Sequence, residues 1–167
     1  FFEATTALAL DAFRAAQVDV AVLEVGLGGR LDATNAVASR AVAITAVDLD
    51  HQAYLGDTIE AIASEKAGVI KAGGLTVLGE NPPAVRHVIE DVSTTRGARL
   101  VYAPDGVLAS AEMVHGRLRA SVRTPRDTYP ALWLGLRGRH QLRNAVTAIR
   151  LLEELSASRI FTPSLQR

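Results

Sequence analysis

The sequence predicts an α/β fold, a mostly parallel, layered sheet with a small antiparallel β meander at its edge. Short apolar runs alternate with segments of helical spacing, an order typical of parallel strands joined by helices. Between residues 105 and 138 the pattern changes to short alternating strands separated by glycine, proline and aspartate. Because 49% of the 167 residues are hydrophobic, the chain can form the core of one ordinary domain.

Composition excludes several classes of function. The chain has no cysteine, which excludes disulfides, thiolate catalysis and cysteine-bound metal. A formal net charge of zero argues against nucleic acid or an anionic membrane surface as a partner. No apolar run approaches the roughly 20 residues of a membrane helix, and no signal peptide is visible. We therefore expect a soluble, cytoplasmic protein and, since Phe1 is not an initiator methionine, a chain that starts inside a longer one.

The first predicted elements are a helix over Phe2–Gln17 and a strand over Val18–Val25. Good helix formers fill the first segment. The second is a continuous apolar run of the kind that parallel sheets bury on both faces. Another strand-like apolar run follows at Ala41–Val47.

A strong helix is predicted after the second strand. Asp57 can cap it, with Glu60 three residues later at capping-box spacing, and the pair Gly73-Gly74 is expected to end it. One face of this helix contains Ile59, Ile62, Ala63, Lys66 and Ile70.

The remaining elements continue the alternation. We predict strands over Leu75–Gly79 and Arg99–Ala103, separated by a helix that begins at Pro82-Pro83 and ends near Arg96. The meander is predicted to have three strands, Val107–Ala111, Val114–Thr124 and Leu132–Leu136. The last helix is predicted over His140–Leu155.

Arginines alternate with apolar residues in the middle meander strand, at Arg117, Arg119 and Arg123. We interpret them as a solvated face rather than as a binding patch.

Glu24 is the first candidate functional residue. It ends the run Val18–Val25 and precedes the flexible turn Gly26–Gly29, which is followed by a polar cluster, Arg30, Asp32, Thr34 and Asn35. Open parallel sheets bind ligands beyond the carboxyl ends of their strands, and glycine lets backbone approach a ligand closely. The alternative is a strand followed by a tight turn. A dinucleotide-binding turn is disfavoured, since Leu31 stands where that motif needs glycine.

Lys66 and His51 are the other candidates. Lys66 lies on an apolar helix face, where an unpaired ammonium is costly, although a lysine near the rim can extend its amine into water. His51 ends the group Asp48-Leu49-Asp50-His51 just past a strand. Carboxylates suit Mg²⁺ better than imidazole does, so Glu24 is the better ligand, and His51 can equally form a cap or loop hydrogen bond.

Four blocks resemble the folylpolyglutamate synthase/dihydrofolate synthase group of the Mur ligase family. They are EVGLGGRLDATN (24–35), LDHQAYLG (49–56), IASEKAGVIK (62–71) and GRHQLRNA (138–145), and they come in the family's order. The resemblance implies an incomplete central, P-loop-type domain of a ligase. Such an enzyme uses ATP to phosphorylate a dihydropteroate or folate carboxylate, and the L-glutamate amine then forms an amide bond.

The resemblance also implies roles for single residues. Glu24 matches a Mg²⁺ ligand, His51 a ligand to a second Mg²⁺, and Lys66 a lysine that is carbamylated in this family. Asn144 matches an asparagine that contacts the adenine of ATP, for which an amide offers both a donor and an acceptor. The residues that match the pterin side of the substrate site are Phe1, Phe2, Glu3, Leu31, Asp32 and Ala33.

The family's P-loop has no counterpart in this sequence. We therefore expect residues 1–155 to be part of a central ATP-binding domain and residues 156–167 to be an unmatched tail, with the P-loop and the glutamate domain encoded elsewhere. The alternatives are a non-catalytic remnant that keeps binding residues and another Mur-type ligase. The RLDATN block argues against the latter.

Overall fold

A three-stranded parallel sheet forms the centre of the computed structural model, which describes residues 1–138 and 140–158. Its strands are β1 (Ala41–Ile44), β2 (Leu75–Leu78) and β3 (Arg99–Tyr102), in that order. In register, Ala41 pairs with Leu75, which pairs with Arg99. Every residue of β2 is buried because it has a strand on each side and packing on both faces.

Helices cover both faces of the sheet and create two cores. The first core packs α3 (Ile59–Ala67) and α4 (Pro83–Thr95) on one face, around Ile62, Leu78 and Ile89. The second packs α5 (His140–Ala157) and the meander on the other face, around Val77, Val122 and Val146. The remaining helices are α1 (Phe2–Ala15) and the short α2 (Gln52–Leu55).

The antiparallel meander consists of β4 (Leu108–Val114), β5 (Arg117–Arg123) and β6 (Thr128–Leu134). In β5 the apolar residues are buried and the arginines exposed, as the alternation predicts. A two-residue turn at His115-Gly116, with φ of 47° and 74°, joins β4 to β5, so the middle strand begins at Arg117 rather than at the predicted Val114. The predicted fold class, a layered parallel sheet with a small meander, is confirmed.

The predicted strand over Val18–Val25 is wrong. This segment has no regular secondary structure, and no strand of the described residues pairs with it. Val22 is 88% exposed, although a continuous apolar run is typical of a buried strand. Such a run needs neighbours on both edges and both faces, and here the described sheet ends at β1. The residues of α1 before it are likewise exposed or half-buried.

The ends of α3 also differ from the prediction. Thr58 rather than Asp57 caps the helix, since its Oγ1 accepts a hydrogen bond from the Ala61 N–H at 3.2 Å. The helix ends at Ala67, and Gly73-Gly74 lies in the turn before β2. Ile70 is still fully buried because a tight turn, Ile70 N–H to Ala67 O at 3.0 Å, continues the helical path.

In the described part of the chain, no helix has both the length and the apolar character needed to cross a membrane.

Candidate functional site

The glycine loop, residues 26–31, packs against the last turn of α3. A Cβ atom at Gly29 would lie 2.9 Å from the Glu65 carbonyl oxygen and 3.1 Å from that of Lys66. A Cβ at Gly68 would lie 2.5 Å from the Arg30 Cα. Gly29 therefore approaches the backbone of the helix that contains Lys66, whereas a Cβ at Gly28 would meet the side chains of Leu55 and Glu65.

Arg30 fastens this loop to Glu65. The Arg30 N–H donates to the Glu65 carbonyl oxygen at 2.9 Å, and its Nε and Nη2 donate to Glu65 Oε1 at 3.1 and 2.9 Å. Asn35 Nδ2 donates to the carbonyls of Arg30 and Gly68, at 2.9 and 3.3 Å. Lys71 Nζ in turn donates to Asn35 O and Oδ1, at 2.8 and 2.7 Å.

Asp32 directly follows the glycine loop, and its side chain accepts hydrogen bonds from the loop backbone. Its Oδ2 accepts from the N–H groups of Gly26 and Leu27 at 3.0 and 3.2 Å, and its Oδ1 accepts from the Thr34 N–H and hydroxyl. Burial alone would raise the pKa of Asp32, but the hydrogen bonds from Thr34 and the loop outweigh it and lower that pKa. Both carboxylate oxygens are thus engaged by the protein itself.

The predicted pterin-side residues partly meet at this loop. The Phe2 ring and the Asp32 carboxylate both contact the Cβ position of Gly26, at 3.1 and 3.4 Å. Leu31 is 80% exposed, and Ala33 is half-buried in the 3₁₀ turn Ala33–Ala36. Glu3 is exposed, and its pKa is lowered by its backbone hydrogen bond and by the N-terminal ammonium, 3.5 Å away.

Glu24, His51 and Lys66 lie on segments that surround the glycine loop. Glu24 is exposed just before it, and Lys66 is half-buried in the turn below it. His51 is exposed and precedes α2 with φ of 54°. Its Nε2 lies 3.6 Å from Asp50 Oδ2. Leu55 of α2 comes within 2.8 Å of the Cβ position of Gly28, so the His51 segment also packs on the loop.

The described residues contain no preformed cluster of metal ligands. Within residues 1–138 and 140–158, no three His, Asp or Glu side chains lie close enough together to hold an ion. The side chains of Glu24 and Lys66 make no hydrogen bond with another described residue. Mg²⁺ commonly binds through one or two protein carboxylates together with water and substrate phosphates, so an exposed Glu24 fits that mode of binding.

Asn144 lines a pocket of about 210 Å³ at the carboxyl ends of β1 and β2. Its walls are Thr45, Ala46, Gly79 and Glu80 from the strand ends, and His140, Arg143, Asn144 and Thr147 from α5. The Asn144 Nδ2 donates to Gln141 Oε1 at 3.2 Å. The pocket therefore occupies the edge where parallel sheets bind ligands, as the sequence predicts for this side of the fold.

A buried charged cluster is the feature that the sequence prediction missed. Glu154, whose side chain is 4% exposed, accepts hydrogen bonds from Arg99 of β3 and from Arg126, the latter at 3.0 and 3.1 Å, and lies 3.7 Å from Arg150. Burial would raise the pKa of Glu154, but these hydrogen bonds lower it. The helical spacing of Arg150, Glu153 and Glu154 in an amphipathic helix was the available signal. The cluster joins α5 to the sheet and to the meander.

Comparisons with known proteins give the relationship. No protein-family model matches the chain. The dihydrofolate synthase/folylpolyglutamate synthase of Mycobacterium tuberculosis is 38% identical over 160 residues, which cover 91% of this chain and 33% of that protein. The folylpolyglutamate synthase of Lacticaseibacillus casei is 40% identical over 149 residues, 89% of this chain and 35% of that protein. A solved FPGS–AMPPCP–folate complex superposes with a TM-score of 0.90 at 34% identity, covering 96% of this chain and 39% of that one.

The chain is homologous to a segment of the dihydrofolate synthase/folylpolyglutamate synthases. It spans about a third of the length of the two relatives described. The superposition confirms the predicted fold over nearly the whole chain.

Proposed function

We propose that this chain is part of an ATP-dependent ligase that adds L-glutamate to dihydropteroate or folate. The observation on which this depends is the joint packing of three sequence blocks: the glycine loop, the His51 segment and the helix turn of Lys66. The names of the relatives, and the AMPPCP and folate of the solved complex, support the same substrates. We place the reaction in the cytoplasm, as composition predicts.

The proposed reaction has two steps. A carboxylate oxygen of the pteroate or folate attacks the γ-phosphorus of ATP, and ADP leaves to give an acyl phosphate. The glutamate nitrogen then attacks the acyl carbon, phosphate leaves, and the amine loses a proton. Both steps depend on positioning and on neutralising phosphate charge, which is what bound Mg²⁺ supplies.

The proposed residue roles are those that the family resemblance implies. Glu24 and His51 would hold Mg²⁺, and carbamylated Lys66 would present an anionic group to the metal or its waters. Asn144 would contact the adenine in the pocket at the strand ends. The pterin side would be contacted by Phe2, Glu3, Leu31, Asp32 and Ala33.

This chain would contain only some of the functional parts of the ligase. Residues 1–155 would form part of the central ATP-binding domain, with residues 156–167 as an unmatched tail. The phosphate-binding P-loop and the glutamate-binding domain would come from flanking sequence. We therefore define the extended protein as this chain joined to its flanking coding sequence.

The test is ATP-dependent incorporation of labelled glutamate into dihydropteroate. We expect incorporation by the extended protein and none by Phe1–Arg167 alone. Glu24→Ala should abolish activity without loss of fold, and Glu90→Ala, at an exposed carboxylate on α4, is the matched control. Ligation by the chain alone, or normal rates in Glu24→Ala at ordinary Mg²⁺, would contradict the proposal.

A further inference from the structure

Lys66 and Lys71 are the only two lysines in the sequence. All other side chains with a permanent positive charge are arginines. An amine and a guanidinium are not interchangeable, since the amine changes its protonation when its surroundings change and arginine stays charged. The two lysines stand five residues apart on either side of the same turn, and hydrogen bonds connect their surroundings.

A chain of hydrogen bonds runs from Lys71 to the last turn of α3. Lys71 Nζ holds Asn35 through its carbonyl and Oδ1, at 2.8 and 2.7 Å. The other end of the Asn35 amide donates to the carbonyls of Arg30 and Gly68. Arg30 then binds Glu65 with its backbone N–H and its side chain. This series of hydrogen bonds thus reaches the end of α3 on both sides of Lys66, at Glu65 and at Gly68.

These contacts replace the partners that a helix end lacks. The last carbonyls of a helix have no partner within it. The Glu65 carbonyl accepts from the N–H groups of Arg30 and Gly68, at 2.9 and 3.2 Å. The Gly68 carbonyl accepts from Asn35 Nδ2 and from Arg96 Nη1, at 3.3 and 3.1 Å. The turn is therefore held by groups distant in sequence.

The Lys66 amine has no hydrogen bond of its own to another described residue. The backbone of its turn therefore sets the position from which the side chain extends. We propose that Arg30, Asn35 and Lys71 are positioning residues, which place the Lys66 side chain by holding this turn against the glycine loop. The inference rests on the proposed function only for the catalytic use of Lys66.

The first test measures the reactivity of each lysine without requiring activity. Lys66 and Lys71 are acetylated with limiting acetic anhydride, in the absence of bicarbonate and at a temperature far below the midpoint of thermal unfolding. The acetylation rate of each lysine is measured by peptide mass spectrometry. Arg30→Met removes the guanidinium and keeps an apolar stem. Asn35→Asp keeps the oxygen that faces Lys71 and removes the donor to Arg30 and Gly68. Arg14→Met is the matched control, since Arg14 makes an equally close ion pair, 2.9 Å to Asp11, on exposed α1.

We expect the Lys66 rate to rise roughly threefold or more in Arg30→Met and Asn35→Asp, because each variant loses hydrogen bonds that hold the turn, which eases its local opening. The Lys71 rate in Arg30→Met and both rates in Arg14→Met should stay near those of the parent. Unchanged Lys66 rates in both variants would overturn the proposal. Rates at both lysines that rise together, in proportion to lost global stability, would also overturn it.

The second test uses the extended protein. Arg30→Met should lower kcat and leave the KM for ATP unchanged, because positioning acts after ATP is bound. A parent protein that does not ligate glutamate refutes the proposed function, while the acetylation rates still decide the positioning role.

Discussion

Gly68→Ala tests the contact between the glycine loop and α3. Gly68 caps α3 with φ of −56° and ψ of −20°, a right-handed conformation that alanine adopts readily. In an open helix this substitution stabilises by up to about 1 kcal/mol. Here the new Cβ would lie 2.5 Å from Arg30 Cα and 2.9 Å from Arg30 Cγ, and the first of these atoms belongs to backbone.

The magnitude follows from these distances. Carbon atoms make favourable contact at about 3.5 to 4.0 Å, so the loop must move by about 1 Å. That shift weakens the 2.9 Å bond from the Arg30 N–H to the Glu65 carbonyl, a bond with a net value of about 1 kcal/mol. Overpacking typically costs about 1 to 3 kcal/mol. After the helix-propensity gain we expect the free energy of unfolding to fall by about 2 kcal/mol.

Urea unfolding followed by circular dichroism measures the change, with two other glycines as controls. Gly135→Ala enters open space without a positive φ and should be neutral within about 0.5 kcal/mol. Gly97→Ala also enters open space but at φ of +58°, so it should cost about 1 kcal/mol through backbone strain alone. Equal or greater stability of Gly68→Ala, at an unchanged m-value, would refute the packing of loop on helix.

Three further predictions concern charged and hydrogen-bonded groups. Glu154→Gln should lower the free energy of unfolding by about 2 kcal/mol, since Arg99 and Arg126 lose a buried carboxylate that accepts their hydrogen bonds. A loss below about 0.5 kcal/mol in urea titration would contradict this. Burial and the hydrogen bond to Glu153 raise the pKa of Tyr129 to about 12. The protonated Tyr129 hydroxyl therefore contributes fully to the stability of the fold below its ordinary pKa of 10.0, and this contribution is lost as pH rises towards 12. Tyr129→Phe should therefore lose less stability than the parent between pH 8 and 11, and identical losses would exclude the effect. The lowered pKa of Asp32 stabilises the fold above its ordinary value of 3.8, so Asp32→Asn should cost about 1 kcal/mol at pH 7 and less at pH 3; a pH-independent difference would argue against it.

Local sequence patterns predicted the elements whose partners are also strands of this chain. Leu75–Leu78 and the alternating Leu118, Ala120 and Val122 are buried as their patterns require. Val18–Val25 has an equally apolar pattern, but a strand also needs a neighbouring strand with which to pair. The residues of this segment do not indicate whether such a neighbour is present. Thr58 and Asp57 are adjacent residues of cap-forming type, and only the backbone path selects Thr58.

The site was predictable as a set of segments but not as a set of contacts. The structure brings the glycine loop and the Lys66 turn together. That Gly29 and Gly68 are glycines because two backbones cross there depends on residues more than thirty positions apart. The roles of Glu24, His51, Lys66 and Asn144 stay predictions, because they concern ligands.

The most direct measurement of the proposed function follows carboxylate oxygen during ligation by the extended protein. Dihydropteroate labelled with ¹⁸O in its carboxylate is incubated with ATP, Mg²⁺ and L-glutamate, and the released phosphate is analysed by mass spectrometry. If the acid is activated as an acyl phosphate, each amide bond formed transfers one ¹⁸O to phosphate. Ligation without ¹⁸O in phosphate would contradict the acyl-phosphate route, and the absence of ATP-dependent ligation would contradict the proposed function itself.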